Sequence, residues 1–397
     1  MKESSELRAT RMIYVGSFLI TTLLFAALSI RQPQASNVVV GYLWGAALVL
    51  GAIIIGTLKG KRRGALRLFL ILAILNIVIV PPEIVLRLRG FRFESGIEFG
   101  YPRPYQFDVF QPDARLFWIF PPSRPGVNSY GFMGPPVTRP KPTGTYRIVF
   151  LGNSCTYQGH PKMVELMLRE SRPEVECLNF ANPGYSSYQG KIIARDDLRG
   201  LEPDLLVVSF GWNDRWLAYG SPDETKKIVV PRGEGPNMLS RLYSSWRELQ
   251  FCRKALSPIL GRTNEPLEVS RVPLDRFAEN LRAIAAVADS IRIPVVFATE
   301  PSSHPTVGVP DYVVASKYAK SKEAALELFR EYNDATRRVA GGGRTWHLVD
   351  LDALITPRPD VREVFTDDGI HYSKSGMGVV ADIETRYIME HFLARGE

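Results

Sequence analysis

Four short clusters carry side chains suited to acyl transfer. They are Gly152-Asn153-Ser154, Asn182-Pro183-Gly184-Tyr185, Gly211-Trp212-Asn213-Asp214 and Asp367-Asp368-Gly369-Ile370-His371. A serine hydroxyl is a weak nucleophile until a base takes its proton, and His371 is suited to that task. A carboxylate on the second imidazole nitrogen fixes the tautomer, and Asp368 lies three residues earlier, within one turn of chain. The tetrahedral intermediate needs hydrogen-bond donors aimed at its oxyanion. The backbone N–H of Ser154, the backbone N–H of Gly184 and the side-chain amide of Asn213 meet that need. A glycine at 184 lets the backbone approach a substrate closely. Trp212, Arg215, His160 and His304 stand near these clusters and are candidates for substrate contact.

The clusters act together only if the fold brings them together. Apolar, β-rich runs occur at residues 146–151, 176–180, 205–210, 294–298 and 346–349. Helical periodicity separates them at about 160–170, 187–199, 274–290, 318–338 and 374–393. Such alternation predicts a parallel sheet covered on both faces. Five strands suit a flavodoxin-like three-layer α/β/α sandwich over residues 146–397. Functional groups in such a sheet gather beyond the carboxyl ends of the strands. Three clusters come directly after the first three strands and the fourth precedes the last helix, so all four are expected on one edge. Residues 215–272 are too long for a single loop and predict an insertion, helical around 239–259.

With the blocks in this order, the chain resembles the SGNH hydrolases, the GDSL esterase/lipase superfamily. Its Ser, Gly, G-x-N-D and D-x-x-H blocks correspond to residues 152–154, 184, 211–214 and 368–371. The resemblance spans about residues 146–395. It implies a Ser154–His371–Asp368 triad and an oxyanion hole of Ser154, Gly184 and Asn213. The family's usual Gly-Asp-Ser is Gly-Asn-Ser here, so Asn153 keeps the turn but loses a charge. Asn128-Ser129-Tyr130-Gly131-Phe132 also resembles the run that precedes this domain in membrane-anchored bacterial members.

The remaining chain reads as an anchor and a connector. Residues 12–30 and 38–58 are uncharged and apolar, each long enough to span a bilayer. Residues 68–86 form a third candidate span, with Pro81, Pro82 and Glu83 near its far end. The net charge is +8, but residues 1–92 alone hold 12 Lys+Arg against 3 Asp+Glu. That imbalance flanks the apolar runs, which is a topology signal rather than a nucleic-acid face. Positive-inside ordering makes residues 1–90 a membrane anchor of about three transmembrane helices, with the catalytic domain extracytoplasmic. Residues 91–145 are a Pro- and aromatic-rich connector whose Phe117, Trp118, Phe120 and Phe132 should pack on the catalytic domain. Three cysteines, Cys155, Cys177 and Cys252, read as free thiols packed like small hydrophobes.

No HExxH, GxGxxG or lysine-bearing phosphate loop occurs, so neither a metal nor a nucleotide cofactor is expected. The expected activity is serine ester hydrolysis on a small-molecule, lipid or glycan ester outside the cytoplasm. An O-acyltransferase with the same triad, working with polysaccharide-modification partner proteins, is the alternative. A catalytically inactive membrane scaffold is the third reading.

Overall fold

The computed structural model describes residues 109–226 and 266–394. The expected membrane spans, most of the 215–272 insertion and Cys252 lie outside the described residues. Among the described residues no helix is long and apolar enough to cross a membrane.

Two short strands, β1 (Gln111–Asp113) and β2 (Phe117–Ile119), pair antiparallel. Five more come after them: β3 (Tyr146–Gly152), β4 (Val175–Ala181), β5 (Leu205–Ser209), β6 (Val295–Ala298) and β7 (Trp346–Val349). These five pair in parallel in the order β4-β3-β5-β6-β7. That is the flavodoxin-like order, in which the first strand sits inside and the chain winds outward in both directions. Side chains along each strand alternate between two cores. Val149, Leu151, Leu206, Val208, Val295 and Phe297 enter one; Ile148, Phe150, Leu205, Val207, Val296 and Ala298 enter the other.

Amphipathic helices cover both faces. After β3 come α1 (Ser154–Tyr157) and α2 (His160–Arg169). After β4 comes α3 (Ser187–Ile193), continued through a π turn at Ala194–Leu198. The later helices are α4 (Leu274–Ser290), α5 (Lys322–Ala340) and α6 (Lys374–Ile388). Ile192, Ile193, Phe277, Leu281 and Ile284 bring α3 and α4 onto the first core, while Val164, Leu168, Val380 and Ala381 bring α2 and α6 onto the second. Serine caps set three of the starts. Ser186 makes a reciprocal capping box with Gln189, and the Ser321 and Ser373 hydroxyls accept from Ala324 N and Gly376 N. The Ser321 cap is why α5 begins at Lys322 rather than near 318; Asp311–Ala315 forms a separate short helix before it.

Residues 109–145 differ from a plain connector, since they contain β1 and β2. Phe117, Trp118, Phe120 and Phe132 are all buried. The Phe132 ring lies 4.6 Å from that of Phe180 on β4. Truncating one such ring to alanine typically costs about 3–5 kcal/mol. This segment is therefore bound to the sheet by the same apolar forces that hold its helices. Cys155 and Cys177 are buried free thiols. Burial raises both thiols well above the ordinary value, which keeps them protonated and unreactive.

Candidate active site

Strand β3 ends at Gly152, where any Cβ would collide with Thr156. Asn153 then caps α1, its Oδ1 accepting from Cys155 N at 2.9 Å. This turn puts Ser154 first in the helix, at the carboxyl end of the sheet. Its Oγ lies 2.8 Å from His371 Nε2, and His371 Nδ1 lies 2.6 Å from Asp368 Oδ2. A carboxylate can only accept, so Nδ1 carries the imidazole proton and Nε2 is free to accept from the serine.

The loop bearing Asp368 and His371 is tied down at several points. Asp368 Oδ1 accepts from Ile370 N at 2.8 Å, His371 N at 2.9 Å and Thr366 Oγ1 at 2.9 Å. Burial pushes the Asp368 carboxyl upward. Donors from His371 and from the Ile370 and His371 backbone outweigh that push and hold it well below the usual carboxylate range. Gly369 sits at φ +71°, and a Cβ there would come within 2.5 Å of His304 Cδ2. Gln158, just past α1, closes a two-bond clamp with Tyr372. Its Nε2 donates to Tyr372 O at 2.9 Å, and its Oε1 accepts from Tyr372 N at 2.9 Å. The helix of Ser154 and the loop of His371 are thereby joined directly, although more than 200 residues separate them.

The Gly184 turn is held by its carbonyls. Asn182 O accepts from Tyr185 N at 3.2 Å, and Pro183 O from Trp118 Nε1 at 3.1 Å. Gly184 O accepts from Arg271 Nη1 at 2.9 Å, and Tyr185 O from Asn213 Nδ2 at 2.9 Å. Four consecutive carbonyls are thus occupied, and Gly184 adopts φ +82°. Its own N–H and that of Ser154 donate to no acceptor among the described residues. Arg271 is fixed in turn by a buried bidentate pair with Asp223, at 2.6 and 3.2 Å, and Asp223 also accepts from Ser186 Oγ.

The four expected substrate contacts take different places. Trp212, Arg215 and His304 come together. The Arg215 guanidinium stacks 3.4 Å from the Trp212 ring centre, and His304 meets that ring edge-on. All three are buried. His304 Nε2 lies 2.7 Å from Asp368 O, so it bears on the acid's loop. Burial lowers His304 to about 4, which leaves it neutral and a donor through Nε2. His160 goes elsewhere. It opens α2 in the second core, 3.3 Å from Glu384 and edge-on to Phe150 and Tyr372.

Glu300 was not among the residues expected from sequence. It is 2% exposed, two residues past the end of β6. One carboxylate oxygen accepts from Asn153 Nδ2 and the other from Trp212 N. Burial raises it to about 7, against the pull of Arg215 and those two donors. Burial likewise lowers Arg215 to about 9. The position of Glu300 in the strand pattern is a usable signal, because the turn leaving β6 bears on the site as directly as those leaving β3, β4 and β5.

The sequence profile of the GDSL-like lipase/acylhydrolase family matches residues 150–379. The chain belongs to this family of SGNH-type serine hydrolases. Solved structures similar to it include a lipase/acylhydrolase from Enterococcus faecalis. That likeness has 17% identity and a TM-score of 0.41, over 62% of this chain and 96% of that one. The acetylxylan esterase Axe2 from Geobacillus stearothermophilus is similar at 16% identity and a TM-score of 0.38, over 61% of this chain and 94% of that one. No curated protein matches the chain.

Proposed function

We propose that the protein hydrolyses carboxylic esters through Ser154, His371 and Asp368. The observation that carries this reading is the unbroken line from Asp368 Oδ2 through both imidazole nitrogens to Ser154 Oγ, at 2.6 and 2.8 Å. Ser154 Oγ attacks the ester carbonyl while its proton passes to His371 Nε2. The C–O bond then breaks, and His371 returns the proton to the departing alkoxide. Water repeats the sequence on the acyl-enzyme. Asp368, held ionised, stabilises the imidazolium that forms at each attack. The N–H groups of Ser154 and Gly184 and the amide of Asn213 receive the oxyanion, and loss of one such donor costs roughly 100- to 1000-fold in rate.

For the substrate class we propose an ester on an extracytoplasmic glycan or lipid. Residues 1–90 would act as a multi-pass anchor, and the support is their uncharged apolar runs and basic flanks. The test of the catalytic reading uses the full chain and Ser154→Ala, a fluorophosphonate probe and p-nitrophenyl esters of increasing length. Labelling and turnover by the wild type alone are expected. Equal behaviour of the two proteins sinks the triad.

A further inference from the structure

Asn153, Trp212 and Glu300 stand on turns that leave the ends of three adjacent strands, β3, β5 and β6. Glu300 gives one carboxylate oxygen to each of the other two turns. Its own backbone is clamped on both sides by Asn333 of α5. Glu300 N donates to Asn333 Oδ1 at 2.9 Å, and Asn333 Nδ2 donates to Glu300 O at 3.0 Å. The carboxylate is therefore a rigid bracket between the residue before Ser154 and the residue before Asn213.

We infer that Glu300 is a positioning residue that sets the nucleophile turn against the Asn213 turn, its two carboxyl oxygens each accepting from one of them. The inference rests on the proposed roles of Ser154 and Asn213. Asn153 is matched to this bracket. Its Oδ1 caps Cys155 N and its Nδ2 faces Glu300, so it offers an acceptor and a donor to two different partners. An aspartate would keep the cap but turn a second carboxylate on Glu300. Gly211, at φ +147°, leaves the room the bracket needs, since a Cβ there would stand 3.1 Å from Glu300 Oε2. Arg215 supplies the opposing charge through space, and Asp214 is the other acid that acts on Glu300.

The test is a reciprocal swap: Glu300→Gln, Asn153→Asp, and the two together. In Glu300→Gln the new amide oxygen can accept from Trp212 N or from Asn153, but the second acceptor is lost. In the double variant the new carboxylate at position 153 still accepts from Cys155 N. It also accepts from the new amide at position 300, whose oxygen accepts from Trp212 N. Each single variant should lose about 100-fold in kcat, with KM held within roughly 2-fold, as misplacement of a reacting group does. The deficit of Asn153→Asp relative to wild type at the same pH should shrink as pH falls, because one of its two facing carboxyls must be protonated. The double variant should return to within roughly 3-fold of wild-type kcat, and the urea midpoints of all four proteins should show the same rescue. Losses that simply add in the double variant, in rate or in midpoint, overturn the inference, as does Glu300→Gln behaving like wild type. If wild type and Ser154→Ala fail alike with the probe, the hydrolase reading has failed, and the urea cycle still decides whether the bracket exists.

Discussion

At the scale of single residues, buried acids and a buried histidine oppose one another in pH. Burial raises Glu300 from 4.5 to about 7, and Asp214 from 3.8 to about 7. A raised acid stabilises the fold in full below its ordinary value, and that contribution fades as pH climbs to the folded value. His304 runs the other way. Burial lowers it from 6.5 to about 4, so its contribution is complete above 6.5 and lost as pH falls toward 4. The two trends offset each other between roughly pH 4.5 and 6.5. A glutamine at this position keeps a donor for Asp368 O and does not titrate. His304→Gln should therefore gain more stability than wild type on acidification from about pH 6.5 to 5, read as the shift in urea midpoint. Parallel shifts in the two proteins would refute this account. Such couplings were invisible in sequence. Ser154, Asp368 and His371 announce themselves by residue type and order. Glu300 has no companion motif, and its place just after the β6 run is the one signal the sequence offers for it.

Among the elements, the five parallel strands were legible because each is an apolar run bounded by helical periodicity. The β1–β2 pair was not. Its strands are three residues long, one holds Pro112, and Phe117 opens the other at φ +73°, a backbone state that β-rich side chains rarely adopt. Equally hidden was the bracing of the Gly184 turn by Arg271 and Asp223, which lie 48 residues apart near the two ends of the 215–272 insertion. Removing one partner of a buried ion pair strands the other charge. Arg271→Met should cost about 3–5 kcal/mol in urea unfolding. Lys226 Nζ, 3.6 Å from Asp223, remains as a lesser counterion. The variant should also lose kcat, since Gly184 O gives up its donor. Unchanged unfolding would show that the pair is dispensable.

For the whole molecule, the membrane proposal rests on residues 1–90 and has a direct check. Membranes carrying the full chain, washed in alkaline carbonate, should retain the protein, whereas release into the wash would remove the anchor from the proposal. The pattern of strands and helices made Tyr146 look like the natural start of the catalytic domain. The segment around Trp118 is nonetheless tied to that domain. The Trp118 indole donates to Pro183 O, and the Trp118 carbonyl accepts from the Tyr185 hydroxyl at 2.6 Å. Gly131 O accepts from Asn182 Nδ2 at 3.3 Å. A fragment cut at Tyr146 would uncover Phe180 and Tyr185 and release these ties on the turn that carries Gly184. A trimmed version of this chain should therefore begin upstream of Gln111, because the ties that hold the Gly184 turn come from chain that lies ahead of the first strand of the main sheet.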